Sequence, residues 1–364
     1  MFFNFKIGDA LMKKILLSFT LLALTMFSTT ACSGQQSDTP ESKEPAKVQS
    51  TKAYVYTADE GGSISKVDVN TNKVVETIKQ EGSVHNVQVS PNGKILGATL
   101  VPEGRMSSMQ GDAHMEMNGI ALFLDTSNDQ LIKKVEVGKH PAHIDFTNDG
   151  KYALVTNNES NNVSVIELSS YQVIKTIGTG NGPHGFRISK DSKFAYVANL
   201  GSDTISILDL IEFKEVTKIK VGKTPVTTAV TSDGKTMFAS VNAENSLAMV
   251  DLATKKIDKI AVGTGPAQIY LQSDDKYIFV ANQGTEQKPS NSVSKIDLAT
   301  RQVVATIETG KGAHGLVVST DNKYIFVTNM YDDTISVIDN SNNKVIATIN
   351  VGKTPNGISF LQSQ

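Results

Sequence analysis

The sequence predicts an all-β fold, a seven-bladed β-propeller with four strands in each blade. Three observations carry this. A β-rich run ending in an acid recurs seven times. A polar turn ending in lysine keeps the same interval. The two ends of the repeated region are complementary parts of one blade.

The acid-ended runs are "ISKVD" (Asp68), "LFLD" (Asp125), "VSVIE" (Glu167), "ISILD" (Asp209), "LAMVD" (Asp251), "VSKID" (Asp297) and "ISVID" (Asp339), with steps of 57, 42, 42, 42, 46 and 42 residues. The turns "SPNGK", "TNDGK", "SKDSK", "TSDGK", "QSDDK" and "STDNK" end at Lys94, Lys151, Lys193, Lys235, Lys276 and Lys323. One repeat reads "GAHGLVVS", "YIFVTN", "ISVID" and "VIATINV", four β-branched and aromatic stretches separated by Asn, Asp and Gly turns. Four short strands in a 42-residue unit make one propeller blade. No stretch has helical period, which excludes the helical solenoids of similar repeat length.

The repeated region starts at "KAYVYTAD", a second strand with no first. It ends at "TPNGISFLQSQ", a first strand with no successor. Joined, the two complete a blade, so the ring is expected to close by pairing its ends. The recurring acids, lysines and asparagines (Asn157, Asn199, Asn242, Asn282, Asn329) are read as turn and blade structure, because Asx side chains bond their own backbone at turns.

Residues 1–32 read as an export segment. Met12-Lys13-Lys14 precedes the apolar run "ILLSFTLLALTMF" (15–27) and the small residues "STTAC", with residues 1–11 an upstream extension. Cys32, the single cysteine, resembles the lipidated residue of a bacterial lipoprotein signal, although Thr29 stands where that pattern usually has Leu. The expectation is an extracytoplasmic protein anchored to the membrane through Cys32, with no disulfide and no thiolate metal ligand. Residues 33–51, "SGQQSDTPESKEPAKVQST", are polar and read as a flexible tether. The propeller is expected over 52–364. A net charge of −2 argues against nucleic acid as a partner. No P-loop, nucleophile elbow or H-E-x-x-H is present, so neither nucleotide nor flavin is expected as a cofactor.

The motifs "YVAN" (196–199), "FVAN" (279–282) and "FVTN" (326–329), together with "ISVID" and "KVIATINVG", resemble the YVTN-type (YncE-like) β-propeller family across 52–364. The resemblance implies the fold and leaves the activity open, since such propellers serve as surface proteins, binding modules and enzymes.

Function is expected where blades differ. At the start of the innermost strands the sequence reads "SVHN" (His85), "PAHI" (His143), "GPHG" (His184), "TPVT" (Val226), "GPAQ" (Ala267), "GAHG" (His314) and "TPNG" (Asn356). Four of the six histidines thus align at one position facing the mouth of the central channel, with His140 in the same connection as His143. Strand direction puts these connections, and the loops between second and third strands, on one top face. The 57-residue step places an insertion on that face, "RMSSMQGDAHMEMNG" (105–119), holding Met106, Met109, His114, Met115 and Met117. A smaller insertion, "QGTEQKPSNS" (283–292), lies beside His314. Arg187 is expected to reach the channel, most readily in a structural ion pair.

Imidazoles ligate copper, zinc, iron and nickel, and thioethers select Cu(I). The leading expectation is therefore a transition-metal site, copper first and zinc as the alternative, at His85, His143, His184 and His314. The methionine loop would form a lid or capture arm for metal handling or redox-linked binding. His140, Arg187 and Asn356 are secondary candidates, and no catalytic residue is assigned. The histidine pattern also resembles the propeller domain of nitrous oxide reductase, where channel-mouth histidines hold a copper cluster; four of seven blades match. Two other readings remain open. One is a monomeric interaction module whose top face takes a protein, peptide or cell-envelope polymer. The other is a lactonase-like propeller hydrolase.

Overall fold

The computed structural model describes residues 52–103 and 117–362. They form seven four-stranded antiparallel sheets. Blade 1 is composite: Pro355–Gln362 lies innermost, followed by Ala53–Asp59, Ser63–Asp68 and Lys73–Lys79. The strand pairing runs from Ala53 opposite Gln362 to Asp59 opposite Pro355 and closes the ring. The innermost strands of blades 2 to 7 are Gly82–Val89, Pro141–Phe146, Pro183–Ile188, Pro225–Val230, Pro266–Leu271 and Ala313–Val318. Each packs on the next around the ring, and Pro355–Gln362 packs on Gly82–Val89. Among the described residues no helix is long and apolar enough to cross a membrane.

The core lies between neighbouring sheets. Phe279 and Ala281 of blade 6 pack with Leu316, Val327 and Ile338 of blade 7. Phe238 and Leu247 of blade 5 pack with Ile269 and Val280 of blade 6. Each of these side chains larger than alanine contributes about 1.5–3 kcal/mol on leaving water. The fourth strands are largely exposed instead, and Val216 and Ile346 stand exposed on the outer rim.

The recurring polar residues do the structural work expected of them, except that Asn242 stands one residue late: Val241 holds the asparagine place in blade 5, and Asn242 donates to the Pro266 carbonyl instead. Asp209 accepts the Ile211 and Glu212 amides, as Asp68 does those of Asn70 and Thr71. Asn157 accepts the Gly138 amide and donates to Ser164 Oγ. Asn199, Asn282 and Asn329 donate likewise to Ser206, Ser294 and Ser336. In blade 1 the same place holds Asp59, fully buried, whose carboxylate accepts from Thr57, Ser63 and Ser65.

The large insertion joins Ile95–Pro102 to Ile120–Asp125, as the spacing required. Met106, Met109, His114 and Met115 lie outside the described residues, as do the export segment, Cys32 and the tether. Met117 is described and half exposed. The smaller insertion lengthens a hairpin, with Gly284 opposite Pro289 and Thr285 opposite Lys288.

Candidate metal centre at the channel mouth

Every innermost strand of blades 2 to 7 carries a β-bulge near its start. In blade 4, Pro183 pairs with Asn199 and Phe186 with Val197, so two residues oppose one. In blade 3 the same register is Pro141 with Asn157 and Ile144 with Val155. This corrects the sequence alignment. His184 corresponds to Ala142, and His143 sits one residue further along, at the place of Gly185. The hydrogen bonds agree: the His143 and Gly315 amides both donate to a threonine hydroxyl on the second strand, Thr156 and Thr328. The bulge lets either of its two residues face the channel, so His143 still joins the others. In blade 4 the second place has to be glycine: a Cβ on Gly185 would stand 2.4 Å from Thr227 Oγ1 of the next blade.

His85, His143 and His184 converge. One ring nitrogen from each lies within 4.8 Å of the other two. Ring centroids are 5.2 Å apart for His85 and His184, and 4.9 Å for His143 and His184. His85 Nε2 and His184 Nε2 face each other at 3.2 Å. The other nitrogens set the tautomers. His85 Nδ1 donates to Glu60 Oε1 at 2.8 Å, and His184 Nδ1 donates to the Val226 carbonyl at 3.2 Å. Both Nε2 lone pairs are thereby turned inward. Two imidazoles bound tetrahedrally to one ion at about 2.0 Å place their nitrogens about 3.3 Å apart, close to the observed separation.

His143 is 1% exposed, and neither of its ring nitrogens has a hydrogen-bond partner. A buried polar atom left unpaired costs about 1–3 kcal/mol. An ion shared by the three rings would satisfy one nitrogen of His143 and remove the confrontation of lone pairs.

The electrostatics keep His143 and His184 neutral and able to ligate. Burial, then the charges of His184 and His85, hold His143 well below the ordinary imidazole range. Burial and the charges of His85 and His314 bring His184 down to about 3. Burial raises the Glu60 carboxyl, but the hydrogen bond and charge of His85 and the Asn356 amide outweigh it and bring it down to about 2. Asn356 Nδ2 donates to Glu60 Oε1 at 2.8 Å. Glu60 thus orients His85 as outer carboxylates orient metal-bound imidazoles.

The remaining candidates stand apart from the trio. His314 is buried and its Nδ1 donates to the Asn356 carbonyl at 3.4 Å. Burial and the charge of His85, opposed by Glu60, bring it down to about 4. It lies within electrostatic reach of the cluster but outside the close group. His140 has a left-handed backbone, φ +48°, and a ring 46% exposed that pairs with Glu159. Its ring centroid is 6.4 Å from that of His85. Arg187 forms no ion pair among the described residues; its Nη1 donates to the Phe186 carbonyl.

Glu60 is the candidate-site residue that the sequence reading does not include. Its equivalents in blades 3 to 7 are Asn158, Leu200, Asn242, Gln283 and Met330. It occupies a place where blades differ, so the rule that singled out the histidines would also have found it.

A closed seven-bladed propeller with a histidine-lined mouth defines the class. The sequence pattern of the YNCE-like beta-propeller family matches residues 125–288 and 273–364, more than half of the chain. The protein belongs to that family. No curated protein matches its sequence. Among solved structures it is similar to Kuenenia stuttgartiensis hydrazine synthase (22% identity, TM-score 0.65, 76% of this chain and 89% of that one). It is also similar to a functionally unknown protein from Desulfotomaculum acetoxidans (14%, 0.71, 86% and 100%). A third is the periplasmic gluconolactonase of Pseudomonas aeruginosa (15%, 0.69, 86% and 100%). These likenesses establish the fold.

Proposed function

We propose that this propeller binds a transition-metal ion at its channel mouth through His85, His143 and His184, with Glu60 as the outer carboxylate. The observation that carries the reading is His143, buried beside two inward-turned Nε2 lone pairs with both ring nitrogens unpaired. Three neutral imidazoles suit copper or zinc and leave a coordination position open. Copper is the first choice, because the loop of Met106, Met109, His114, Met115 and Met117 springs from the same face and thioethers favour Cu(I). His314 would serve an arriving ion rather than hold it. The role is metal handling or redox-linked binding by a protein exported and anchored through Cys32.

The test is titration of apo protein with Cu(I), Cu(II) and Zn(II), paired with elemental analysis of protein folded in its native compartment. One equivalent bound in the wild type, and none in His143→Ala/His184→Ala, supports the proposal. If none of these ions binds at micromolar concentration, the proposal is overturned. Zinc in place of copper keeps the histidine site and removes the methionines from it.

The likeness to a gluconolactonase favours one second reading, hydrolysis of a lactone by a water on the same ion. Metal-dependent turnover of glucono-δ-lactone would establish it.

A further inference from the structure

The channel has a second mouth, on the face of the tight turns. The fifth residue of each innermost strand in blades 3 to 7 is Asp145, Arg187, Ala229, Tyr270 and Val317. Three of these carry chemistry, and here too the blades differ. Asp145, Arg187 and Tyr270 line one cavity of about 410 Å³ with Phe146 and Leu271. That is enough for a small metabolite.

The three polar groups share this space without bonding to one another. Among the described residues no hydrogen bond or ion pair joins any two of them. Asp145 accepts the neighbouring Phe146 amide, and Arg187 donates to the carbonyl of Phe186. Opposite charges in a half-buried cavity ordinarily close into a charge-assisted pair. Here the pair is not closed, although all three residues line the same cavity. At the rim Lys190 and Asp275 add one charge of each sign, so the cavity as a whole is balanced. Asp275 is already committed to Ser232.

We infer that this lower mouth is a binding site for a free α-amino acid, with Arg187 taking the carboxylate, Asp145 the ammonium and Phe146, Leu271 and the Tyr270 ring the side chain. A simple anion would leave Asp145 without a partner, and a simple cation would leave Arg187 without one. A zwitterion satisfies both and keeps the net charge unchanged. Burial pushes the Asp145 carboxyl up despite Arg187, so an ammonium beside it stabilises the ionised form. The site is independent of the metal reading.

The test uses the whole chain and reads thermal shift, then calorimetry, with each proteinogenic L-amino acid at millimolar concentration. At least one apolar amino acid is expected to bind. Its amide, lacking the carboxylate, and its deaminated acid, lacking the ammonium, are each expected to bind roughly ten- to hundredfold more weakly. Arg187→Gln removes binding of the amino acid. Asp145→Asn weakens the amino acid but strengthens the deaminated acid, which also shows that this variant is folded. His143→Ala/His184→Ala leaves amino-acid binding unchanged. The inference is overturned if no amino acid binds, if the amide or the deaminated acid binds as well as the parent, or if Asp145→Asn leaves the affinity as it was.

Discussion

The Nε2 atoms of His85 and His184 face each other at 3.2 Å, and the Nδ1–H of each imidazole donates to a partner, Glu60 in one case and the Val226 carbonyl in the other. Neither ring can turn its lone pair away without losing that partner. The pair is held in a geometry that the proposed ion would complete.

Glu60→Gln tests the outer carboxylate. The amide keeps the size of the side chain and an oxygen for the His85 proton, but removes the charge. Metal affinity is expected to fall roughly tenfold to a hundredfold with the fold intact. His143→Ala is expected to cost more affinity, and its apo form should be no less stable than the wild type, because an unpaired buried imidazole leaves with it. Chelator competition measures the first effect and urea unfolding the second.

Acid should destabilise the apo protein. His184 titrates near 3 when folded and at 6.5 as a free, solvated imidazole, so the unfolded chain binds more protons between those values. Its contribution is present above pH 6.5 and is lost as pH falls toward 3. His314, near 4, acts in the same direction over a narrower span. Glu60, brought down to about 2 from 4.5, adds a further loss below 4.5. Unfolding free energy of apo protein should fall steadily from pH 7 to pH 4. A bound ion competes with those protons, so the loaded protein should hold its stability further into acid. Equal slopes for the two forms would count against the site.

Asp59→Asn addresses the composite blade. Asp59 occupies the place of Asn157, Asn199, Asn282 and Asn329, and burial raises its carboxyl even though three hydroxyls donate to it. An acid held above its unfolded value loses stability as pH rises. The asparagine found in other blades should therefore stabilise the protein at neutral pH by roughly 1 kcal/mol, with a smaller gain in acid. Asn157→Ala should instead cost about 1–3 kcal/mol, since the Gly138 amide loses its acceptor. Both are read by urea unfolding, and neither should change metal affinity.

The fold was legible because its unit is short and repeated: acid-ended strands and lysine-ended turns mark each blade, and the half-blades at the ends specify closure. The site was legible in part. The histidines were recognisable because they stand where blades differ. Counting back from the lysine-ended turns would have placed His143 opposite Gly185. Aligning histidine on histidine concealed the shift, and only the bulge explains why the ring still reaches the cluster. Glu60 is not legible alone, because a single glutamate after a second strand carries no ligand signature until its contact with His85 is known. Arg187 read as half of an ion pair because its equivalents in other blades were not compared as a ring. Nothing in the strand pattern says that it and Asp145 stand in one cavity unjoined.

The closing strand carries a further implication. Asn356 holds Glu60 with its side chain and accepts the His314 proton with its carbonyl. Glu60 belongs to one side of the seam that closes the ring, and Asn356 to the other. A chain halted before residue 355 would contain every histidine and still lack the brace behind His85. If the proposed site takes an ion, its affinity would therefore gauge whether the circle has been joined, because a half-made propeller lacks that brace.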